Sequence, residues 1–96
     1  MSCLHTISRS PKYELLQACL KVINPGDGIL FIEDGVYHCN DSKLLAAISR
    51  DNIVYGLRED LVARGLRDKQ DALVEVVGYH KFVELTIQHS KTVSWF

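Results

Sequence analysis

Gly28-Ile29-Leu30-Phe31-Ile32 is an unbroken apolar run between turn residues, Asn24-Pro25-Gly26-Asp27 before it and Glu33-Asp34-Gly35 after it. The run is too short for a helix, which needs about ten to twelve residues. A strand with one wet face alternates apolar and polar side chains. A strand that is apolar on both sides is covered on both faces, as in a parallel sheet. This one segment therefore restricts the chain to a parallel sheet with helices against it. Ile53-Val54-Tyr55-Gly56-Leu57 and Leu73-Val74-Glu75-Val76-Val77 read as further strands. Residues 2–8 read as a first strand, with Cys3, His5 and Ile7 pointing one way and Leu4 and Thr6 the other. Residues 92–96 read as a last, edge strand.

Helical patterns fill the intervals. Leu16, Cys19, Leu20 and Ile23 recur at i, i+3, i+4 and i+7, which is one apolar helix face. Ser10 suits its N-cap, Pro11 the first helical position and Glu14 the first turn. Pro25 and Gly26 stop it. Asp41 or Ser42 can cap a helix over 43–48. A short helix over 60–64 has Gly65 as its stop. Residues 79–89 carry Phe82, Leu85, Thr86 and His89 at helical spacing. Strand–helix alternation along the whole chain predicts an α/β fold with a mainly parallel sheet of about five strands and helices on both faces. Right-handed crossovers narrow the topology. The length, 96 residues, allows a single domain over residues 1–96, with no linker or internal repeat.

Charge bounds the partners. Eleven Lys and Arg against twelve Asp and Glu give a net charge of −1. The densest basic stretch, Arg58, Arg64, Arg67 and Lys69, is interleaved with Glu59, Asp60, Asp68 and Asp71 and reads as a solvated face. No basic stripe is present, so direct nucleic-acid binding is not expected. No apolar stretch approaches the ~20 residues of a membrane-spanning helix. Residues 1–6 lack a basic segment followed by an apolar one and do not read as a signal peptide. A cytoplasmic location is the expectation.

In open α/β sheets, sites form beyond the carboxyl ends of the strands. That rule gathers Ser8-Arg9-Ser10, Asp34-Gly35 and Glu59-Asp60 on one rim, the first candidate for partner contact. The same residues also serve as turns and helix starts. A chain this small buries only roughly 60–65% of its unfolded surface. Its two sheet edges and the apolar Trp95-Phe96 end need cover, which predicts a subunit of an oligomer.

Catalytic signatures are absent: no G-x-S-x-G, no Walker loop, no H-E-x-x-H, and Gly26-x-Gly28 precedes a strand, the wrong context for a dinucleotide. No cofactor is expected. The three cysteines, Cys3, Cys19 and Cys39, are an odd number with no C-x-x-C pair, so a disulfide scaffold is not expected. Cys3-x-His5 and His38-Cys39 are local pairs, but tetrahedral sites draw on tighter paired spacing, so no metal site is expected either. Cys39 follows His38 just before a helix start, a setting that favours thiolate and makes it a candidate nucleophile. Cys19 lies on an apolar helix face and reads as a small buried hydrophobe. Cys3 and His5 read as core residues, His80 and His89 as surface or cap residues.

An ordered set of short segments spans the chain: Leu4-His5-Thr6, Arg9-Ser10-Pro11, Pro25-Gly26-Asp27, Ile32-Glu33-Asp34-Gly35-Val36, Tyr55-x-Leu57-x-Glu59-Asp60-Leu61-x-Ala63-Arg64-Gly65, Phe82-Val83-x-Leu85-Thr86 and Trp95-Phe96. In this set the sequence resembles the DsrH/TusB family of sulfur-relay proteins. The resemblance implies a three-layer α/β/α, DsrEFH-like fold. It also implies a subunit of a heterohexamer with TusC/TusD-like or DsrF/DsrE-like sister chains. In the TusBCD branch persulfide sulfur passes through the complex toward 2-thiolation of the tRNA wobble uridine. In the DsrEFH branch a similar complex serves sulfur oxidation. The principal sulfur-accepting cysteine belongs to a sister chain, so a mainly architectural, non-catalytic role follows for this one. Some DsrH-branch members carry a cysteine in the first helix, and Cys19 stands at the matching place. Cys19 is thus the candidate for direct sulfur handling, and Arg9, Asp34, Gly35, Glu59, Asp60 and Trp95 are the candidate partner contacts.

Overall fold

A computed structural model describes residues 2–96, and Met1 lies outside the described residues. The strands are β1 (Cys3–Ile7), β2 (Gly28–Phe31), β3 (Ile53–Leu57), β4 (Val74–Val77) and β5 (Lys91–Trp95). The α-helices are α1 (Leu15–Leu20), α2 (Ser42–Leu45), α3 (Arg58–Ala63) and α4 (Tyr79–Gln88). All five strands pair in parallel in the order β4-β3-β2-β1-β5. β2 is buried at every position, as its unbroken apolar run requires. The two edges, β4 and β5, carry exposed residues.

The register assigns each side chain to a face. His5 pairs with Ile29 and Val93, Ile29 with Val54, and Val54 with Val74. These share a face with the larger core, where α1 places Leu16 and Cys19, α2 Leu45 and α3 Leu61. Thr6 pairs with Leu30 and Ser94, Leu30 with Tyr55, and Tyr55 with Glu75. Their face holds the smaller core of Leu4, Leu30, Tyr55, Val77 and Leu85, the last from α4. Topology explains the asymmetry. From β1 to β4 the chain steps one strand at a time in one direction, and right-handed crossovers put those helices on one face. The connection from β4 to β5 runs back across the sheet, so α4 packs on the opposite face. Three layers result, one of them a single helix.

Local departures from the sequence expectation have local causes. The first helix does not start at Pro11. Pro11–Tyr13 is a 3₁₀ turn whose last N–H···O bond runs from Glu14 to Pro11 (3.1 Å), and Glu14 is left-handed (φ 55°), so α1 begins at Leu15. Ser10 is extended, as a residue before proline must be, and its hydroxyl caps nothing. Glu33–Asn40 is an eight-residue 3₁₀ helix rather than a loop. Side chains at i and i+3 eclipse in this helix, and the pairs Gly35/His38 and Val36/Cys39 both face inward. Asp41 then starts α2 by accepting from Leu44 N–H (3.1 Å). Gly65 (φ 68°) ends the α3 segment with Gly65 N–H to Val62 O and Leu66 N–H to Leu61 O, a Schellman closure. Among the described residues no helix is long and apolar enough to cross a membrane.

Candidate functional site

The rim beyond the strand ends gathers some of the expected residues. Arg64 of the α3 turn reaches Asp34 (Nε···Oδ1 2.9 Å) and Asp60 (Nη1···Oδ1 3.6 Å), and Asp60 Oδ2 accepts from Glu33 N–H (2.6 Å). Asp34 and Asp60 are thus brought together by an arginine that reads in the sequence only as part of a solvated face. Glu59 turns to Arg58 (3.1 Å), and Arg9 lies 4.9 Å from the Tyr13 ring centroid. Gly35 sits beneath them with a definite packing role. An added Cβ there would lie 1.9 Å from Ile7 O. The 3₁₀ helix can therefore press against the end of β1 only through a glycine.

His38 lies directly in this packing. It is fully buried, stacks on Phe31 (centroids 5.0 Å apart), and neither ring nitrogen has a hydrogen-bond partner. Burial lowers its pKa below the usual imidazole value, although the Arg9 main chain and Asp41 favour the charged ring.

The thiols separate into two classes. Cys19 and Cys39 are sealed in the larger core, at 0% and 1% exposure. Burial pushes each thiol up to about 12, with the Asp27 charge adding to the effect on Cys19. The local cues at Cys39, a neighbouring imidazole and a nearby helix start, are overridden because the 3₁₀ helix turns its side chain inward. Cys3 is only half-buried.

From Trp95, paired with Ile7 at the carboxyl end of the sheet, through His5 to Asp27 at the opposite end runs a chain of hydrogen bonds. The indole Nε1–H of Trp95 donates to His5 Nδ1 (3.1 Å). That nitrogen must therefore accept, which leaves the ring proton on Nε2, donated to Asp27 Oδ2 (3.0 Å). Asp27 also accepts from Cys3 N–H (2.9 Å) and Asn24 N–H (3.1 Å). Burial raises the Asp27 carboxyl, but these donors outweigh it and hold it below the usual carboxylate range. His89 is half-buried here: its Nδ1 is 2.8 Å from Ser2 Oγ, and burial lowers its pKa. His80 is exposed and pairs with Glu84 (3.2 Å). A cavity of about 200 Å³ opens beside Asp27, lined by Ser2, Cys3, Asn24, Ser90 and Lys91. A second depression of about 440 Å³, walled by Leu45, Ile48, Ile53 and Leu73 with Arg50 at its side, lies at the start of β3.

One surface escaped the sequence reading. Tyr79, Val83 and Ile87 follow each other at i, i+4 and i+8 on α4 and are all exposed, Ile87 at 78%. Phe82 and Leu85 anchor the helix from its other side. The signal was present as a second apolar stripe on a helix whose first stripe already accounted for its packing.

The fold defines the class: a small, all-parallel, three-layer α/β domain. The chain belongs to the DsrH-like family, since the family model described as "DsrH like protein" matches residues 9–92. It is 39% identical over 94 residues to a protein of Photorhabdus laumondii named Protein TusB, covering 96% of this chain and 99% of that one. Protein TusB of Escherichia coli O1:K1 is 37% identical with the same coverage. Among solved structures, the solution NMR structure of Protein Tm0979 from Thermotoga maritima matches with a TM-score of 0.69 and 20% identity, covering 90% of this chain and 92% of that one, which shows the shared fold.

Proposed function

We propose that this chain is a subunit of a heteromeric sulfur-relay complex. In it the chain holds TusC/TusD-like sister chains in position while persulfide sulfur passes between them. The end point of the relay is 2-thiolation of the tRNA wobble uridine, and the complex works in the cytoplasm. Membership of the DsrH-like family and relatives named Protein TusB support this reading. The observation that carries the architectural role is the state of Cys19. Sulfur passes by thiolate attack. Burial pushes this thiol up to about 12, so it stays protonated at neutral pH, and it is fully covered. The sister chains meet the rim around Arg9, Asp34, Gly35, Glu59 and Asp60, the Trp95 edge, and the apolar face of α4. The net charge of −1 suits docking to proteins better than gripping tRNA.

Co-expression with candidate sister chains, followed by affinity purification and light scattering, tests the assembly. A stable hetero-oligomer is expected, broken by Val83→Glu with Ile87→Glu, since both sites are exposed and the fold survives. Cys19→Ser is expected to leave tRNA thiolation intact. Thiolation lost from an intact Cys19→Ser complex would instead make Cys19 the carrier.

A further inference from the structure

The base of the sheet carries a group of side chains that the relay reading leaves unused. Cys3 and His5 are alternate residues of β1 and point to the same face. Asp27 closes the turn into β2. One donor atom from each, a thiol sulfur, a ring nitrogen and a carboxylate oxygen, lies within 4.8 Å of the other two. His5 and Asp27 are 4% and 3% exposed, and the cavity of about 200 Å³ opens on Cys3 and Asp27. Asp27 is a buried carboxylate whose only ion-pair partner among the described residues is His5. The indole of Trp95 occupies the nitrogen where a second ring proton would go. The carboxylate is thus held ionised by hydrogen bonds, with no permanently charged group in ion-pair contact among the described residues, and it stands beside a cavity.

We propose that Cys3, His5 and Asp27 bind a divalent cation of the zinc class. Cys3 Sγ, His5 Nε2 and Asp27 Oδ2 are its ligands, and the fourth position faces the cavity. One sulfur, one nitrogen and one oxygen form a donor set that zinc accepts in tetrahedral geometry, at about 2.0–2.3 Å from each. The Cys3 and Asn24 N–H groups already orient the Asp27 carboxylate, as outer-shell donors do in metal sites. Thiolate and carboxylate together cancel the dication, so the buried group becomes neutral. The proton balance follows. The thiol loses one proton to solvent. The imidazole gives up its Nε2 position to the metal and carries its proton on Nδ1, which the Trp95 N–H now occupies. Metal binding must therefore turn the indole away, and Trp95, the single tryptophan, reports it.

The reduced, full-length protein is titrated with Co²⁺ as spectroscopic probe and then with Zn²⁺ in competition. One equivalent is expected to bind, with a thiolate-to-cobalt absorption band, release of one proton and a change in tryptophan emission. Cys3→Ser and Cys3→Ala are both expected to abolish the band and weaken Zn²⁺ about tenfold or more, with circular dichroism reporting the fold. Cys39→Ala is expected to keep the band. Three results overturn the site: no saturable uptake at one equivalent, a band that survives both Cys3 variants, or emission unmoved at saturation.

Discussion

His38 and Asp27 are both buried and both titrate, but they load the fold in different ways. His38 is neutral in the folded chain, and its nitrogens are unmet. The unfolded chain takes up that proton near pH 6.5, so below that value the unfolded state binds more protons and stability falls. His38→Phe is expected to remove this loss between about pH 7 and 5. At pH 8 the change should stay within about 1 kcal/mol, because an orphaned polar ring is exchanged for an apolar one of similar shape. Urea unfolding across that range is the measurement. Asp27 acts through its depressed carboxyl. Its contribution is present above the ordinary carboxylate value of 3.8 and is lost as pH falls through the lower folded value. Asp27→Asn puts an amide donor among groups that already donate. It is expected to cost about 2–3 kcal/mol at neutral pH and much less near pH 2, as read by the same unfolding series. The burial of Cys19 was legible in its helical stripe. The partnership of His5 with Asp27 was not, because the two are 22 positions apart and meet only through the parallel pairing of β1 with β2.

At the scale of elements, the 3₁₀ helix Glu33–Asn40 joins the rim to the core. It rests on Gly35, where Ile32 N–H donates to Ile7 O (3.0 Å) and no side chain has room. Gly35→Ala is expected to cost about 3 kcal/mol, at the upper end of ordinary overpacking, with the denaturation midpoint as readout. α4 depends on few anchors. Leu85 is its one fully buried side chain, so Leu85→Ala is expected to lose about 2–5 kcal/mol. It should also raise amide exchange in α4 before the rest of the sheet. The boundaries of α4 and the stop at Gly65 followed from apolar period and glycine chemistry. The 3₁₀ helix did not, since helix-period reading looks for spacings of 3.6 and this segment buries residues at spacings of three.

Across the whole molecule, one face of the sheet is covered by three helices and the 3₁₀ segment, the other by α4 alone. The thin layer presents its exposed stripe outward, and β5 stands at an open edge with Thr92 and Ser94 exposed. Without sister chains the protein is expected to self-associate weakly or precipitate as its concentration rises. A sedimentation series that finds an ideal monomer at every concentration would remove the case that this face awaits a partner.

By itself, the amino-acid sequence determined the layered α/β class, the strands and most of the helices. Those depend on which residues within a dozen positions are apolar, turn-forming or capping. Tertiary structure alone decided the strand order, the thinness of one layer, the sealing of Cys39 and the meeting of Cys3, His5, Asp27 and Trp95. Each of these depends on how distant segments pack and bury area together, a property that no short stretch of chain carries.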